Sequence, residues 1–260
     1  THADFNVAVG MSSLEADTLG SKSTALGFQT LKNQNFTTAT DSYNVAVGHQ
    51  AGLSITTGVN NTIVGGLAGD ALTEGNRNVV AGQGALSADT LGSESVALGW
   101  GALAAQNFTT ATNALNVAVG AVAGLSITTG IQNTLIGGLA GDALTDADFN
   151  IAIGYGALSS DTLGSHSVAI GRNALVLQNF TTATDAYNVA IGSAAGNVLT
   201  TGLRNTLIGG LAGDALTDAD NNVAIGQAAL STDTLGSNSV AIGRNALLLQ
   251  NFTTATNAYN

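Results

Sequence analysis

Short apolar runs that end in glycine recur along the whole chain. Each run reads Asn or Ser, then Val, Ile or Thr, then an apolar residue that is most often Ala, then another aliphatic residue, and finally Gly, as in Ser167–Gly171. Short β-branched runs bounded by turn residues such as Leu-Gly-Ser and Thr-Thr-Gly are typical of β-strands. The pattern therefore predicts about 14 short strands, one for each motif glycine. Those glycines are Gly10, Gly27, Gly48, Gly65, Gly82, Gly99, Gly120, Gly137, Gly154, Gly171, Gly192, Gly209, Gly226 and Gly243.

The motif glycines are regularly spaced, in steps of 17, 21, 17 and 17 residues that repeat every 72 residues. The sequence LIGGLAGDALTDAD occupies 135–148 and again 207–220. Such a period indicates a solenoid, because one coil cannot bury its apolar face without its neighbours. We predict an all-β parallel β-solenoid of about 14 coils of 17 or 21 residues. It would form one repetitive domain, 1–260, with blocks 6–77, 78–149, 150–221 and an incomplete block 222–260.

Both faces of the predicted strand are apolar. Counting from the motif glycine as position 0, position −4 is Asn or Ser, which predicts a stacked hydrogen-bonding ladder. Position −1 is aliphatic in every coil, and we expect it to point into the coil. Position −2 would then face outwards, yet it is apolar throughout, which favours burial against another chain. A wide coil that buries both faces is the alternative. The predicted oligomer interface contains Ala97, Ala118, Leu135, Ala152, Ala169, Ala190, Leu207, Ala224 and Ala241.

Composition excludes several classes of function. The formal net charge is −11, with only six Lys and Arg, so the chain lacks the basic surface that nucleic-acid binding needs. An anionic membrane surface would repel it, and no apolar run is long enough to span a bilayer. The absence of Cys excludes disulfides and thiolate metal sites. The absence of Pro fits a fold in which nearly every backbone N–H donates to a neighbouring strand.

The motif resembles the head repeats of trimeric autotransporter adhesins of the YadA type and similar repeats of phage and bacterial tail fibres. Ser167–Gly171 and Ser239–Gly243 read SVAIG, and Asn222–Gly226 reads NVAIG. The resemblance implies a left-handed β-roll, a homotrimer, and a role in adhesion or fibre display at a surface. The family repeat is close to 14 residues, whereas these coils have 17 or 21. No stalk or membrane anchor is recognisable in the chain.

Candidate chemistry is sparse. His2, His49 and His166 occupy different positions of the 72-residue block, and no Ser/His/Asp set recurs, so we predict no catalytic residues. Asp89 and its repeats in D-T-L-G are interpreted as Asx turns. One weak candidate for calcium remains, because Asp-x-Asp-x-Asn has the spacing that opens a calcium loop but lacks its Gly and Glu. Its carboxylates are Asp146, Asp148, Asp218 and Asp220. We otherwise expect no cofactor.

Two surface features vary or protrude. The residue after the motif glycine is the most variable position, and aromatic and Arg residues there are candidate contacts for a host-surface or glycan ligand. The alternative is an exposed position that varies freely. The 21-residue coil carries Asn-Phe-Thr-Thr-Ala-Thr, whose Phe could dock a partner or fill the widened corner; we favour the second. The candidate ligand contacts are Phe28, Trp100, Arg172 and Arg244.

We therefore predict a non-enzymatic structural or adhesive rod of an extracellular appendage. A phage tail-fibre shaft or receptor-binding segment is one alternative, and an ice- or glycan-binding solenoid is another. Thr pairs skip coils, which argues against an ice-binding lattice. The chain begins and ends within a repeat, so we also expect further blocks or end-to-end stacking into a filament. Localisation is predicted at a cell surface or on a virion fibre.

Overall fold

The computed structural model describes residues 3–260, so Thr1 and His2 lie outside the described part of the chain. The chain divides into two compact units, Thr1–Gln132 and Asn133–Asn260. The boundary falls inside the second sequence block. Residues 3–260 contain strands, turns and bends but no helix, and therefore no helix that could span a membrane.

The first unit has eleven short strands. Seven three-residue strands form one sheet, and four two-residue strands pair as β2 with β4 and β8 with β10 at the wide coils. The three-residue strands are β1 Val7–Val9, β3 Thr24–Leu26, β5 Val45–Val47, β6 Thr62–Val64, β7 Val79–Ala81, β9 Val96–Leu98 and β11 Val117–Val119. The two-residue strands are β2 Gly20–Ser21, β4 Thr40–Asp41, β8 Gly92–Ser93 and β10 Thr112–Asn113.

The second unit repeats this arrangement. Seven three-residue strands form its main sheet, and β14 pairs with β16 and β20 with β22. The three-residue strands are β12 Thr134–Ile136, β13 Ile151–Ile153, β15 Val168–Ile170, β17 Val189–Ile191, β18 Thr206–Ile208, β19 Val223–Ile225 and β21 Val240–Ile242. The two-residue strands are β14 Gly164–Ser165, β16 Thr184–Asp185, β20 Gly236–Ser237 and β22 Thr256–Asn257.

The strand pairing confirms a parallel β-solenoid. In the first unit β1 pairs with β3 at a register of 17 residues and β3 with β5 at 21, as Ala8↔Ala25 and Ala25↔Ala46 show. In the second unit β13 pairs with β15 at 17 and β15 with β17 at 21. All of these pairs are parallel and equivalent motif residues face each other. The predicted coil lengths are therefore correct in both units.

The assignment of the two strand faces was wrong and is reversed in the structure. Position −2 is the interior position: Ala97, Ala118 and Ala152 are 0% exposed within a single chain. Position −1 lies outside, where Val64 is 41% exposed and Ile136 38%. The physical reason is the narrow coil, which admits only small side chains opposite its own far wall. None of the predicted interface residues therefore presents a surface to a partner: Ala97, Ala118, Leu135, Ala152, Ala169, Ala190, Leu207, Ala224 and Ala241 are at most 1% exposed.

The Asn ladder at position −4 is confirmed. Oδ1 of Asn44 accepts the backbone N–H of Asn61 at 2.9 Å, and Oδ1 of Asn61 accepts that of Asn78 at 2.9 Å. Each amide Nδ2 donates to a backbone carbonyl at the next corner, as from Asn61 to Gly75 at 2.9 Å. These side chains are fully buried, so the ladder satisfies polar groups that would otherwise be costly. In the second unit Oδ1 of Asn150 accepts the N–H of Ser167.

Two kinds of coil alternate in pairs and explain the 72-residue block. Where position +4 is Leu, as at Leu86, position −2 is small or Val; where it is Gly, larger side chains fill the space. A Cβ on Gly69 would lie 3.0 Å from Cδ1 of Leu72 and 3.3 Å from Cδ1 of Ile63. In the second unit a Cβ on Gly141 would lie 2.8 Å from a methyl of Leu135. Large and small side chains thus interlock along the core.

Candidate functional site

The outer surface of each main sheet is aliphatic. Positions −3 and −1 hold only Val, Ile, Leu, Thr or Ala in all 14 three-residue strands, and neither position holds a charged residue. In the first unit Val45 is 37% exposed and Val79 41%; in the second, Ile151 and Ile191 are each 37% exposed. An antiparallel sheet that faces water alternates apolar and polar positions, whereas parallel sheets are normally covered on both faces. Each unit therefore carries an uncovered aliphatic face, defined by positions −3 and −1.

The wide coil is closed from inside by its phenylalanine. Phe108 is 5% exposed and Phe180 6%. A Cβ placed on Gly164 would lie 2.7 Å from Cδ2 of Phe180, so the ring packs directly against that glycine. The prediction that Phe fills the widened corner is confirmed. The neighbouring Thr109 and Thr181 are exposed, so each wide coil presents a polar bulge around a buried anchor.

A buried carboxylate holds each wide coil in place. Oδ1 of Asp161 accepts the N–H groups of Gly164 and Phe180, each at 3.0 Å, and Oδ2 accepts Nε2 of Gln178 at 2.6 Å. Oε1 of Gln178 in turn accepts Nδ2 of Asn188 at 2.9 Å. Asp161 has no exposed surface, so it has no access to a substrate. The interpretation of the D-T-L-G aspartate as a turn residue is confirmed.

Burial affects the pKa of several of these carboxyls. Desolvation raises the pKa of Asp89 above its usual value, although hydrogen bonds from Gln106 and the backbone oppose the shift. Desolvation also raises the pKa of Asp70, Asp142 and Asp214, each of which has one buried oxygen without a hydrogen-bond partner. These three are equivalent residues of successive blocks and lie in separate coils. No second carboxylate approaches them, so the pair needed for acid–base hydrolysis does not form among them.

The calcium candidates are used to join neighbouring coils. Oδ1 of Asp218 accepts the hydroxyl of Thr201 at 2.6 Å, while Oδ1 of Asp220 accepts the N–H of Leu203 at 2.8 Å. The N–H of Asp148 donates to Ser165. Within residues 3–260 no group of three or more acidic or His side chains is arranged to hold a metal ion. The spacing of Asp146, Asp148, Asp218 and Asp220 therefore reflects a corner of the coil.

The candidate ligand contacts occupy different environments. Trp100 is 61% exposed, and Arg172 and Arg244 are also exposed. Phe28 is half-buried, because its ring stacks on His49 with centroids 5.2 Å apart. The four residues occupy equivalent positions of four blocks, so the structure places them at the same corner of separate coils. No pocket occurs among the described residues, and these side chains line no cleft.

Sequence reasoning missed a second variable column, at position −5. All of its residues from Phe5 to Tyr259 that lie before a described strand have positive φ, and many are exposed. In the second unit the rings of Phe149, His166 and Tyr187 stack at centroid distances of 4.9 and 5.0 Å. Nδ1 of His166 lies 3.2 Å from Oδ1 of Asp185, an ion pair when the imidazole is protonated, although without hydrogen-bond geometry. The signal was available, since this column immediately precedes the Asn ladder.

Position +8 carries a second ladder that was also missed. It is Thr or Asn in every coil from Thr18 to Asn251. In the first unit Oγ1 of Thr73 donates to the carbonyl of Thr90 at 3.0 Å, and in the second unit Thr217 donates to Thr234 at 3.0 Å. These hydroxyls bond to the next coil, so they are not free to order water on a lattice. The column stabilises the corner and gives no support to ice binding.

Comparison with known families identifies the repeat. The YadA head domain repeat matches residues 91–112 in the first unit and residues 151–174 and 219–246 in the second. The matched segments cover less than a third of the chain, and each contains a strand preceded by Ser or Asn at position −4. No curated protein and no solved structure matches the chain. The resemblance read from the sequence is thus confirmed, and the family of these repeats is non-catalytic.

Proposed function

We propose that this chain is a segment of a homotrimeric adhesin head that is exposed at a cell surface. YadA-family adhesins are homotrimers, and their head domains are surface-exposed parts of outer-membrane adhesins. The observation that carries the proposal is the uncovered aliphatic face at positions −3 and −1. Monomeric soluble proteins rarely expose large contiguous apolar patches, and such patches mark interaction sites.

The face favours a second copy of the same chain as its occupant. Its strands present only Val, Ile, Leu, Thr and Ala, so it offers neither charge nor hydrogen-bonding side chains beyond Thr to a different partner. Seven stacked coils at about 4.8 Å make each face about 30 Å long. A copy of the face supplies an apolar surface of the same length and the same coil spacing. Packing copies around an axis covers every face at once.

The adhesive contacts would then lie on the bulges of the wide coils. Thr109 and Thr110 in the first unit and Thr181 and Thr182 in the second are exposed, and each bulge is anchored by a buried Phe. The bulge recurs once per block and would occur three times per coil level in a trimer. Weak contacts repeated in this way gain avidity without any single strong site.

Light scattering of the whole chain tests the assembly. We expect a mass of three chains for the wild type and of one chain for Leu98→Asp combined with Ile170→Asp, since each change buries a charge in the proposed interface. Thr109→Asp with Thr181→Asp adds the same charge on the bulges and should remain trimeric. A wild-type monomer at micromolar concentration would contradict the proposed function.

Adhesion is measured on beads coated with the trimer, using a glycan array and cultured epithelial cells as probes. Thr109→Glu with Thr181→Glu should reduce bead attachment while leaving the trimer mass unchanged. Attachment that is unaffected by these changes would move the adhesive surface away from the bulges.

A further inference from the structure

Two columns of variable residues border the aliphatic face of each sheet. Position +1 follows the motif glycine at the carboxyl end of the strand, and position −5 lies at its amino end, just before the Asn ladder. Both columns are exposed: Trp100 is 61% and Tyr155 58% exposed at position +1, and Tyr43 is 50% and Tyr187 48% exposed at position −5. The two columns therefore form the two long edges of the aliphatic face.

Symmetry determines which edges meet if the face is covered by further copies, as the proposed function requires. In a closed cyclic assembly whose axis runs along the coils, every strand circulates in the same sense. The carboxyl edge of each copy then abuts the amino edge of the next. We propose that position +1 of one copy meets position −5 of its neighbour, and that this seam fixes the axial register of the copies.

The charges of the two edges are complementary. Positions +1 and +2 contain no Asp or Glu in any of the 14 coils, although the chain has 17 acidic residues, and they include Arg172 and Arg244. The opposite corner, positions −7 to −5, is rich in carboxylates. An acid-free edge against an acidic edge favours association between copies over contact of like edges. The carboxylates of the amino edge are Asp4, Asp41, Glu94, Asp148, Asp185 and Asp220.

The need for a register signal follows from the repeat itself. The aliphatic face is nearly the same in every coil, so two copies could slide by one coil or one block with little loss of apolar contact. A uniform surface specifies register weakly, and natural assemblies add specific polar or aromatic contacts that do so. The seam columns have the required variation.

Two segments of the second unit show where that variation lies. Residues 150–188 and 222–260 are offset by one block and differ at seven positions. Three of the differences, at positions outside the seam or on the face, exchange Ile for Val, Ser for Thr or Val for Leu. The four others all fall at positions −7, −5, +1 or +2, and they include every exchange of an aromatic or charged residue. They are Tyr155/Gln227, Gly156/Ala228, His166/Asn238 and Asp185/Asn257.

The seam residues have the chemistry for specific contacts. In the second unit the stack of Phe149, His166 and Tyr187 with Asp185 offers aromatic surface and a carboxylate to a neighbour's Arg172. Arg is attracted both to aromatic faces and to carboxylates. In the first unit, Arg77, which Glu94 accepts at 2.9 Å from Nε, lies at the edge that an aromatic residue such as a neighbour's Trp100 would meet.

Cysteine cross-linking tests the seam, because the chain has no Cys of its own. Ser193→Cys at position +1 is combined in turn with His166→Cys, Tyr187→Cys or Arg204→Cys, which sample position −5 in three successive coils. Tyr259→Cys, one block from Tyr187, reports a shifted register. Within one chain a strand of about 10 Å separates the two positions, beyond the Cα distance that a disulfide allows. A disulfide therefore reports contact between copies.

We expect one of the three in-register pairs to give a covalent trimer under mild oxidation, and the Tyr259→Cys pair to give none. Replacing Tyr155 by Gln, His166 by Asn and Asp185 by Asn gives both segments the same seam and should produce cross-linking through Tyr259→Cys.

Light scattering separates this inference from the proposed function. If all proteins are trimers but no in-register pair cross-links, or if the shifted pair cross-links as fully as the in-register pair in the otherwise unchanged protein, the seam is wrong and the trimer stands. If the wild-type chain is a monomer, the proposed function fails first.

Discussion

Nε2 of Gln106 donates to Oδ2 of Asp89 at 2.6 Å, and both side chains lie fully inside the wide coil. The other oxygen of Asp89 accepts the N–H groups of Gly92 and Phe108 at 3.0 and 3.1 Å. One carboxylate thus satisfies three donors and fixes the only irregular turn of the block. The same contacts recur around Asp161 and Asp233, which makes this network the structural reason for the 21-residue spacing.

The first prediction concerns the loss of this carboxylate. Asp89→Ala leaves the N–H groups of Gly92 and Phe108 buried without acceptors, and each unsatisfied donor costs about 1–3 kcal/mol. We expect the free energy of unfolding in urea to fall by about 2–4 kcal/mol. Glu74→Ala removes an exposed carboxylate from the same unit and should change it little. Equal effects of the two substitutions would mean that the network does not stabilise the wide coil.

The second prediction concerns pH. Burial raises the pKa of Asp70, Asp142 and Asp214 in the folded protein, so these groups hold their protons more tightly folded than unfolded. Their stabilising contribution is complete below the unfolded-state pKa, and it is lost as the pH rises through the folded-state pKa.

Urea unfolding at pH 7 and near the usual carboxyl pKa of about 4 measures this contribution. On acidification, the wild type should gain stability relative to a variant with Asn at all three positions. An identical pH profile for the two proteins would show that the three carboxyls do not titrate differently on folding.

The third prediction tests the interlocking core. A Cβ on Gly69 would press on Leu72 and Ile63, and its φ of +50° strains any residue with a side chain. Gly69→Ala should cost about 1–3 kcal/mol. Gly66→Ala lies in the same coil, where a Cβ meets no atom within 4 Å, and should be nearly neutral. Ile63→Ala added to Gly69→Ala relieves one of the two contacts, so the second change should cost less than it does alone.

Much of the fold could be predicted because every coil repeats the same physical requirements. The spacing of Gly65, Gly82 and Gly99 predicts strand register directly: each Cβ that is absent would strike the backbone of the next coil, at 2.6 Å for Gly65 and 2.2 Å for Gly82. The Asn ladder followed for the same reason. In both cases one position is constrained by identical neighbours above and below it, so the residue type identifies the contact.

The two strand faces could not be assigned from the residues alone. Ala97 and Leu98 are both apolar and adjacent, and alternation says only that they face opposite ways. The width of the coil decides between them: Ala97 fits opposite Leu103 and Leu86, which fill the interior, while Leu98 is left outside. The candidate surface was misplaced for this reason, and the column at position −5 was missed because its residues share a backbone conformation and no side-chain type.

The last prediction uses the single tryptophan of the chain as a reporter of the seam. Trp100 is 61% exposed in one chain, and the seam would cover it with the amino edge of the neighbour. In the wild-type assembly we expect weak quenching by acrylamide and emission shifted to the blue. Leu98→Asp with Ile170→Asp should release the copies, increase quenching and shift emission to the red, whereas the trimeric control Thr109→Asp with Thr181→Asp should behave like the wild type. Because Leu98 lies close to Trp100 in sequence, Ile170→Asp with Ile208→Asp repeats the test from the second unit. A trimer whose Trp100 is quenched as strongly as in the monomer would place position +1 outside the seam.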